Sequence, residues 1–190
     1  METFIRRALR THPPRELAVP SRRLAAVLAP IYCHEGEYGM LFTKRSDTVL
    51  HHRGQISFPG GGYEPQDVSL QATALRESAE EIGLQPSDVT ILGQLDDLLT
   101  HNSNYLVRPF VGTMPYPYAF ELDARETAYV IEVPLRFLRQ HNPPEPEIRC
   151  YEGRLVQSYF FDYNGHIIWG ATGKILKQFL DLLDQHEVCT

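Results

Sequence analysis

The apolar run from Leu24 to Cys33 constrains this chain most: ten near-continuous residues that suit a strand buried in a sheet. It falls short of the roughly 18 apolar residues that cross a bilayer as a helix. His34-Glu35-Gly36-Glu37 reads as a turn and Tyr38 to Thr43 as the return strand. Lys44 to Ile56 is polar and reads as a loop. Further strands are expected at Val89 to Leu95, Tyr105 to Val111 and Val130 to Val133. Ile148 to Tyr151 and Leu155 to Phe161 flank Gly153 as a hairpin, and Asn164-Gly165 marks another tight turn before Ile167 to Trp169. Ser69 to Ile82 is the clearest helix, with Leu70, Thr73, Ala74, Glu77, Ala79 and Glu81 at helical spacings, Gly83 as its stop and Pro86 just beyond. Pro134 to Arg139 suits a short helix and Thr172 to Leu183 a final one. Many strands with two or three helices mean a mixed α/β domain, and 190 residues fit one such domain.

Charge is uneven along the chain. Residues 1–23 carry six arginines against Glu2 and Glu16, a balance of +4, while the whole chain is at −6. We therefore read 1–23 as a basic N-terminal extension and 24–190 as the domain proper. The extension partly resembles a transit peptide. It also reads as a short amphipathic helix, Thr3 to Leu9, docked by Phe4, Ile5 and Leu9 and ended by Pro13-Pro14. Its arginines can equally draw in an anionic substrate. The acidic total argues against a strongly basic nucleic-acid-binding domain, and no membrane partner is expected. Three scattered cysteines, Cys33, Cys150 and Cys189, offer no disulfide framework, so a reducing cytoplasm is the expected compartment. The sequence sets no oligomeric state.

Chemistry concentrates in residues 58–84. Phe58-Pro59-Gly60-Gly61-Gly62 demands a special backbone path. On the helix that follows, Glu77 shares a face with Glu80 and Glu81, and Arg76 reaches Glu80 one turn on. Like charges at this spacing oppose a bare helix by a few tenths of a kcal/mol each. A solvated acidic face would tolerate that. A glycine-rich turn directly before the helix points instead to a phosphate-and-metal site, because hard divalent ions prefer several carboxylate oxygens.

The stretch resembles the Nudix box, G-x5-E-x7-R-E-U-x-E-E-x-G-U with U a bulky aliphatic. Gly62, Arg76, Glu77, Glu80, Glu81, Gly83 and Leu84 fall on its positions. Two positions depart. The first glutamate falls on Val68, although a one-residue insertion would bring Gly61 and Asp67 onto the first glycine and acid. The first aliphatic position is Ser78. Leu41-Phe42-Thr43-Lys44-Arg45-Ser46 and Gly54-Gln55-Ile56-Ser57-Phe58-Pro59-Gly60-Gly61 look like the upstream signature of Nudix coenzyme A diphosphatases. So does Ile168-Trp169-Gly170-Ala171-Thr172 before the last helix, and the similarity covers roughly residues 24 to 180. Leu50 stands where that signature has an arginine, with Arg53 close by. Leu95-Asp96-Asp97 with Tyr105 to Phe110 fits the subfamily pattern without identifying a ligand.

The resemblance implies a Nudix-type α/β/α sandwich with a mixed sheet. It implies Mg²⁺- or Mn²⁺-dependent hydrolysis of a nucleoside diphosphate linked to another group. Coenzyme A or acyl-coenzyme A is the leading substrate, giving 3′,5′-ADP and the 4′-phosphopantetheine part. ADP-ribose, NADH or oxidised nucleoside triphosphates are the alternative substrates, and a non-catalytic nucleotide-binding module is the rival from another class. Glu77, Glu80 and Glu81 are the expected metal ligands and, with Arg76, the catalytic set. Glu126 is the extra carboxylate that related enzymes place in this region. Arg45, Arg53, Gly60 and Gly61 are expected against substrate. His51, His52 and His101 match no zinc spacing and read as loop histidines. Gly170 to Lys174 has too few residues between its glycines for a phosphate loop.

Overall fold

The computed structural model describes residues 1–190 apart from 48–52, 101–102, 152 and 188–190. In chain order the elements are α1 (Glu2–Thr11), β1 (Arg23–His34), β2 (Glu37–Arg45), β3 (Ile56–Ser57), β4 (Gly60–Gly62) and α2 (Leu70–Ile82). A 3₁₀ turn at Pro86–Asp88 leads to β5 (Thr90–Gln94), β6 (Leu98–Leu99), β7 (Tyr105–Thr113), β8 (Thr127–Pro134) and α3 (Leu135–Gln140). The chain ends in β9 (Glu147–Tyr151), β10 (Arg154–Ser158), β11 (Phe161–Tyr163), β12 (His166–Ile168) and α4 (Gly170–Glu187). Leu50, His51, His52 and His101 lie outside the described residues.

Among the described residues the main sheet has eight strands, with β3-β2-β1-β7-β5 as its path, β4 also on β1, β6 on β7 and β8 on β2. The β1–β7 pair is parallel, from Arg23 opposite Tyr105 to Ile31 opposite Thr113. The other pairs in this sheet are antiparallel, so the sheet is mixed. The side chains of β1 alternate between two cores, as the period of a strand requires. Ala25, Ala29 and Ile31 face α1, α3 and α4, whereas Ala26, Leu28 and Tyr32 face α2. The apolar run is continuous because both faces of β1 are covered, which makes the fold an α/β/α sandwich.

Helix α1 contributes Ile5, Ala8 and Leu9, each at most 4% exposed, to the core on the α4 side. The segment after it is clasped by two neighbouring carboxylates. Asp97 accepts the Leu17 N–H at 2.8 Å and both forks of Arg108 at 2.8 and 2.9 Å. Asp96 accepts the Arg15 N–H and meets His12 Nε2, both at 2.9 Å. The Asp96-Asp97 and Arg108 pattern, which named no ligand in the sequence, thus fastens the chain start to the sheet. Leu9→Ala is expected to cost about 2–3 kcal/mol, the scale of a buried leucine truncation, measured by urea denaturation. An unchanged midpoint would mean that α1 contributes nothing to stability.

Some boundaries differ from expectation. Strand β2 runs through Lys44 and Arg45, and Ile56–Ser57 returns beside it, with Thr43 opposite Ser57 and Lys44 opposite Ile56. Two-residue strands such as β3 and β6 carry no periodicity of their own and exist through pairing with longer neighbours. Leu155 to Phe161 divides into β10 and the start of β11. Among the described residues no helix is long and apolar enough to cross a membrane.

Candidate active site

Helix α2 is well delimited. Ser69 caps its start, the hydroxyl accepting the Ala72 N–H at 3.1 Å. Gly83 ends it at φ 72°, and its N–H donates to Ala79 O at 3.0 Å. Ser78 is fully buried and donates to Ala74 O at 2.7 Å. That bond satisfies the hydroxyl within the helix and lets serine sit where the family pattern has an aliphatic residue.

The loop before α2 is held by one arginine. Arg76 donates through Nε to Asp67 Oδ1 at 2.9 Å, through Nη2 to Asp67 Oδ2 at 3.1 Å and to Gly62 O at 3.0 Å, and through Nη1 to Glu80 Oε2 at 2.9 Å. Nη2 also lies 3.1 Å from Glu77 Oε1. Asp67 further accepts the Glu64 N–H at 3.0 Å and the Thr73 hydroxyl at 2.8 Å. The Arg76 guanidinium holds the Asp67 carboxyl well below the usual carboxylate range, despite its burial. Val68, by contrast, is 93% exposed. The buried acid of the loop is therefore Asp67, one place before the strict box position.

The glycines matter through what they let approach. Gly60 (φ +149°) lies against β1, and a Cβ there would meet Ala26 O at 2.3 Å. A Cβ on Gly61 would lie 2.5 Å from both carboxylate oxygens of Glu77. Gly62 has open space around it. The Gly60 N–H donates to Glu81 Oε2 at 3.3 Å, so the turn and the helix carboxylates form one unit.

Glu81 is only 4% exposed. Burial pushes its carboxyl up to about 8, with Glu77 and Glu126 adding to the rise while Arg45 and the Gly60 N–H oppose it. Burial likewise raises the Glu77 carboxyl, against the pull of Arg76. Glu80 differs, since its side chain is 59% exposed and pairs with Arg76. Residues 115–126 wrap the end of α2, Glu121 and Asp123 donating their N–H groups to Ile82 O and Glu81 O at 3.1 and 3.0 Å. The Ser46 N–H then donates to Glu126 O at 2.8 Å. Those contacts bring Glu126 within electrostatic reach of Glu77 and Glu81, a proximity that no local sequence signal could give. Arg45 Nη1 stands 4.0 Å from Glu81 Oε1. Arg53 lies exposed in the turn before β3.

Among the described residues no three His, Cys, Asp or Glu side chains form a ready-made metal cage. The donor chemistry nonetheless fits a divalent ion. Glu77 and Glu81 are hard-oxygen donors, desolvated and mutually repelling, and a nearby cation relieves both costs.

The site is thus a glycine turn set against a carboxylate-bearing helix within an α/β/α sandwich. The NUDIX domain model matches residues 22–154. The chain is 37% identical over 179 residues to the uncharacterized Nudix hydrolase NudL of Photorhabdus laumondii, covering 94% of this chain and 95% of that one. It is 33% identical over 181 residues to the protein of the same name in Enterobacter sp., covering 94% and 92%. The crystal structure of a NUDIX hydrolase from Alicyclobacillus acidocaldarius shares the fold, with a TM-score of 0.53 at 20% identity over 65% of this chain and 84% of that one. The chain belongs to the Nudix hydrolases, metal-dependent pyrophosphohydrolases of nucleoside diphosphate derivatives.

Proposed function

We propose that this enzyme hydrolyses coenzyme A or acyl-coenzyme A at the diphosphate, giving 3′,5′-ADP and (acyl-)4′-phosphopantetheine. The observation that carries the hydrolytic part is the buried Glu81 carboxylate beside Glu77 and Glu126, with Arg45 as its neighbouring cation. Glu77 and Glu81 would hold Mg²⁺ or Mn²⁺, with Glu80 joining after release from Arg76. A divalent ion held there would supply positive charge toward the diphosphate and would make water more acidic. Glu126 takes the proton of that water. Arg76 positions the loop through Asp67 and Gly62, and the Gly60 N–H orients Glu81. Arg45 and Arg53, with the backbone of Gly60 and Gly61, face the substrate. Residues 1–23 act as a packed extension of the domain.

The choice of coenzyme A rests on the Leu41 to Ser46, Gly54 to Gly61 and Ile168 to Thr172 segments. Leu50 removes one arginine that would otherwise meet a phosphate. A lost contact of that kind costs on the order of 1.5–3 kcal/mol, so coenzyme A is held loosely. Arg53 recovers part of the loss at the 3′-phosphate. Rates on coenzyme A, its 3′-dephospho form and ADP-ribose, with products identified by mass spectrometry, test this. Coenzyme A should lead its dephospho form by about tenfold in kcat/KM, and Arg53→Ala should erase that lead. Equal rates on both forms, or faster ADP-ribose turnover, would overturn the coenzyme A assignment and leave the hydrolase class standing.

A further inference from the structure

Arg45 follows an irregularity in the β2–β8 register and closes β2 beside the site. Its guanidinium is 4.0 Å from Glu81, beyond hydrogen-bond range, although the Glu81 side chain is only 5% exposed. Its Nε is buried and has no hydrogen-bond partner among the described residues. A buried donor without an acceptor is uncommon and costly, and it calls for a reason. Glu81, for its part, makes no other ion pair among the described residues. A strong carboxylate–guanidinium pair would be short and two-pronged. This one is long, so it offsets only part of the cost of burying the Glu81 charge and locks neither group.

Given the metal-site reading above, we propose that Arg45 takes the place of the metal beside Glu81 in the metal-free enzyme. On loading, it turns its unpaired Nε toward a phosphate oxygen of the substrate. Arg45 and the metal then compete for Glu81, whereas Arg45 and the metal cooperate on the diphosphate. The two effects have opposite signs in one variant, and packing alone would not produce that.

The test uses Mn²⁺ alone and then methylenediphosphonate, a diphosphate that cannot be hydrolysed, at saturating Mn²⁺. Both are titrated calorimetrically into the full chain, with circular dichroism as the check on folding. Arg45→Met should bind Mn²⁺ several-fold more tightly than the parent, because a competing cation is gone. The same variant should bind methylenediphosphonate about tenfold or more weakly. Arg45→Lys keeps the charge, so its Mn²⁺ affinity should match the parent's. It lacks the planar fork, so its diphosphonate affinity should stay low. Arg45→Met binding Mn²⁺ no more tightly than the parent, or keeping the parent's diphosphonate affinity, would overturn the proposal. If Glu81→Gln binds Mn²⁺ as the parent does, the metal-site reading itself falls and this proposal with it.

Discussion

Glu81→Gln is expected to leave a folded protein whose turnover falls about 10²–10³-fold, the scale expected when several kcal/mol of charge stabilisation are lost. The substitution removes charge and almost no volume, and the amide can still accept the Gly60 N–H that the carboxylate takes at 3.3 Å. Stability should move the other way. Burial raises the Glu81 carboxyl to about 8 in the folded chain, so ionising it opposes folding. The metal-free parent should therefore lose stability as pH rises from the ordinary carboxylate range toward about 8. The glutamine variant carries no such group and should be the more stable of the two at pH 8, by on the order of 1–3 kcal/mol, and not at pH 4. Chelation of the parent should abolish activity, and Mg²⁺ or Mn²⁺ should restore it. A variant with turnover within tenfold of the parent would exclude Glu81 as a metal ligand. A variant less stable than the metal-free parent at pH 8 would show that the buried carboxylate is already compensated.

The parts of this site that could be read in advance are those encoded locally. Helix α2 has a side-chain cap at Ser69, helical spacing through Glu81 and a left-handed glycine at Gly83, so its limits lie within a residue of expectation. The two-faced burial of β1 is written in an unbroken apolar run. Glu126 is different, because its place beside Glu81 depends on a loop that returns across the end of α2 to Ser46. The Asp97–Arg108 pair joins a loop to a strand and captures Leu17 from 80 positions away. The capture of Leu17 depends on the sheet bringing β7 beside β1, and no short window of the sequence contains both Leu17 and Asp97. The glycine turn is an intermediate case. Its irregularity was plain from composition, but the strand pairing of Gly60 to Gly62 with Ala25 to Val27 was not. The same applies to the packing of Glu77 onto Gly61.

Asp67→Asn is expected to cost about 3 kcal/mol of folding stability, near the lower end for breaking a buried ion pair. The side chain of Asp67 is only 4% exposed, and all of its bonds are taken from donors: Arg76, the Glu64 N–H and the Thr73 hydroxyl. An asparagine of the same shape must point its amide N–H at one of those donors. The lower end applies because Arg76 keeps Glu80, Glu77 and Gly62 O as other acceptors. Acid should remove the difference. Arg76 lowers the Asp67 carboxyl in the folded chain below its ordinary value of 3.8, so the stabilisation is present above that value and is lost as pH falls through the depressed one. Denaturation curves of parent and variant should thus lie furthest apart near pH 7 and converge in strong acid. Activity should also drop, since Arg76 would no longer fix the loop on which Gly60 and Gly61 meet the helix carboxylates. A variant as stable as its parent at pH 7 would mean that Glu77, Glu80 and Gly62 O suffice to hold Arg76. The acid one place before the strict box position would then have no structural role.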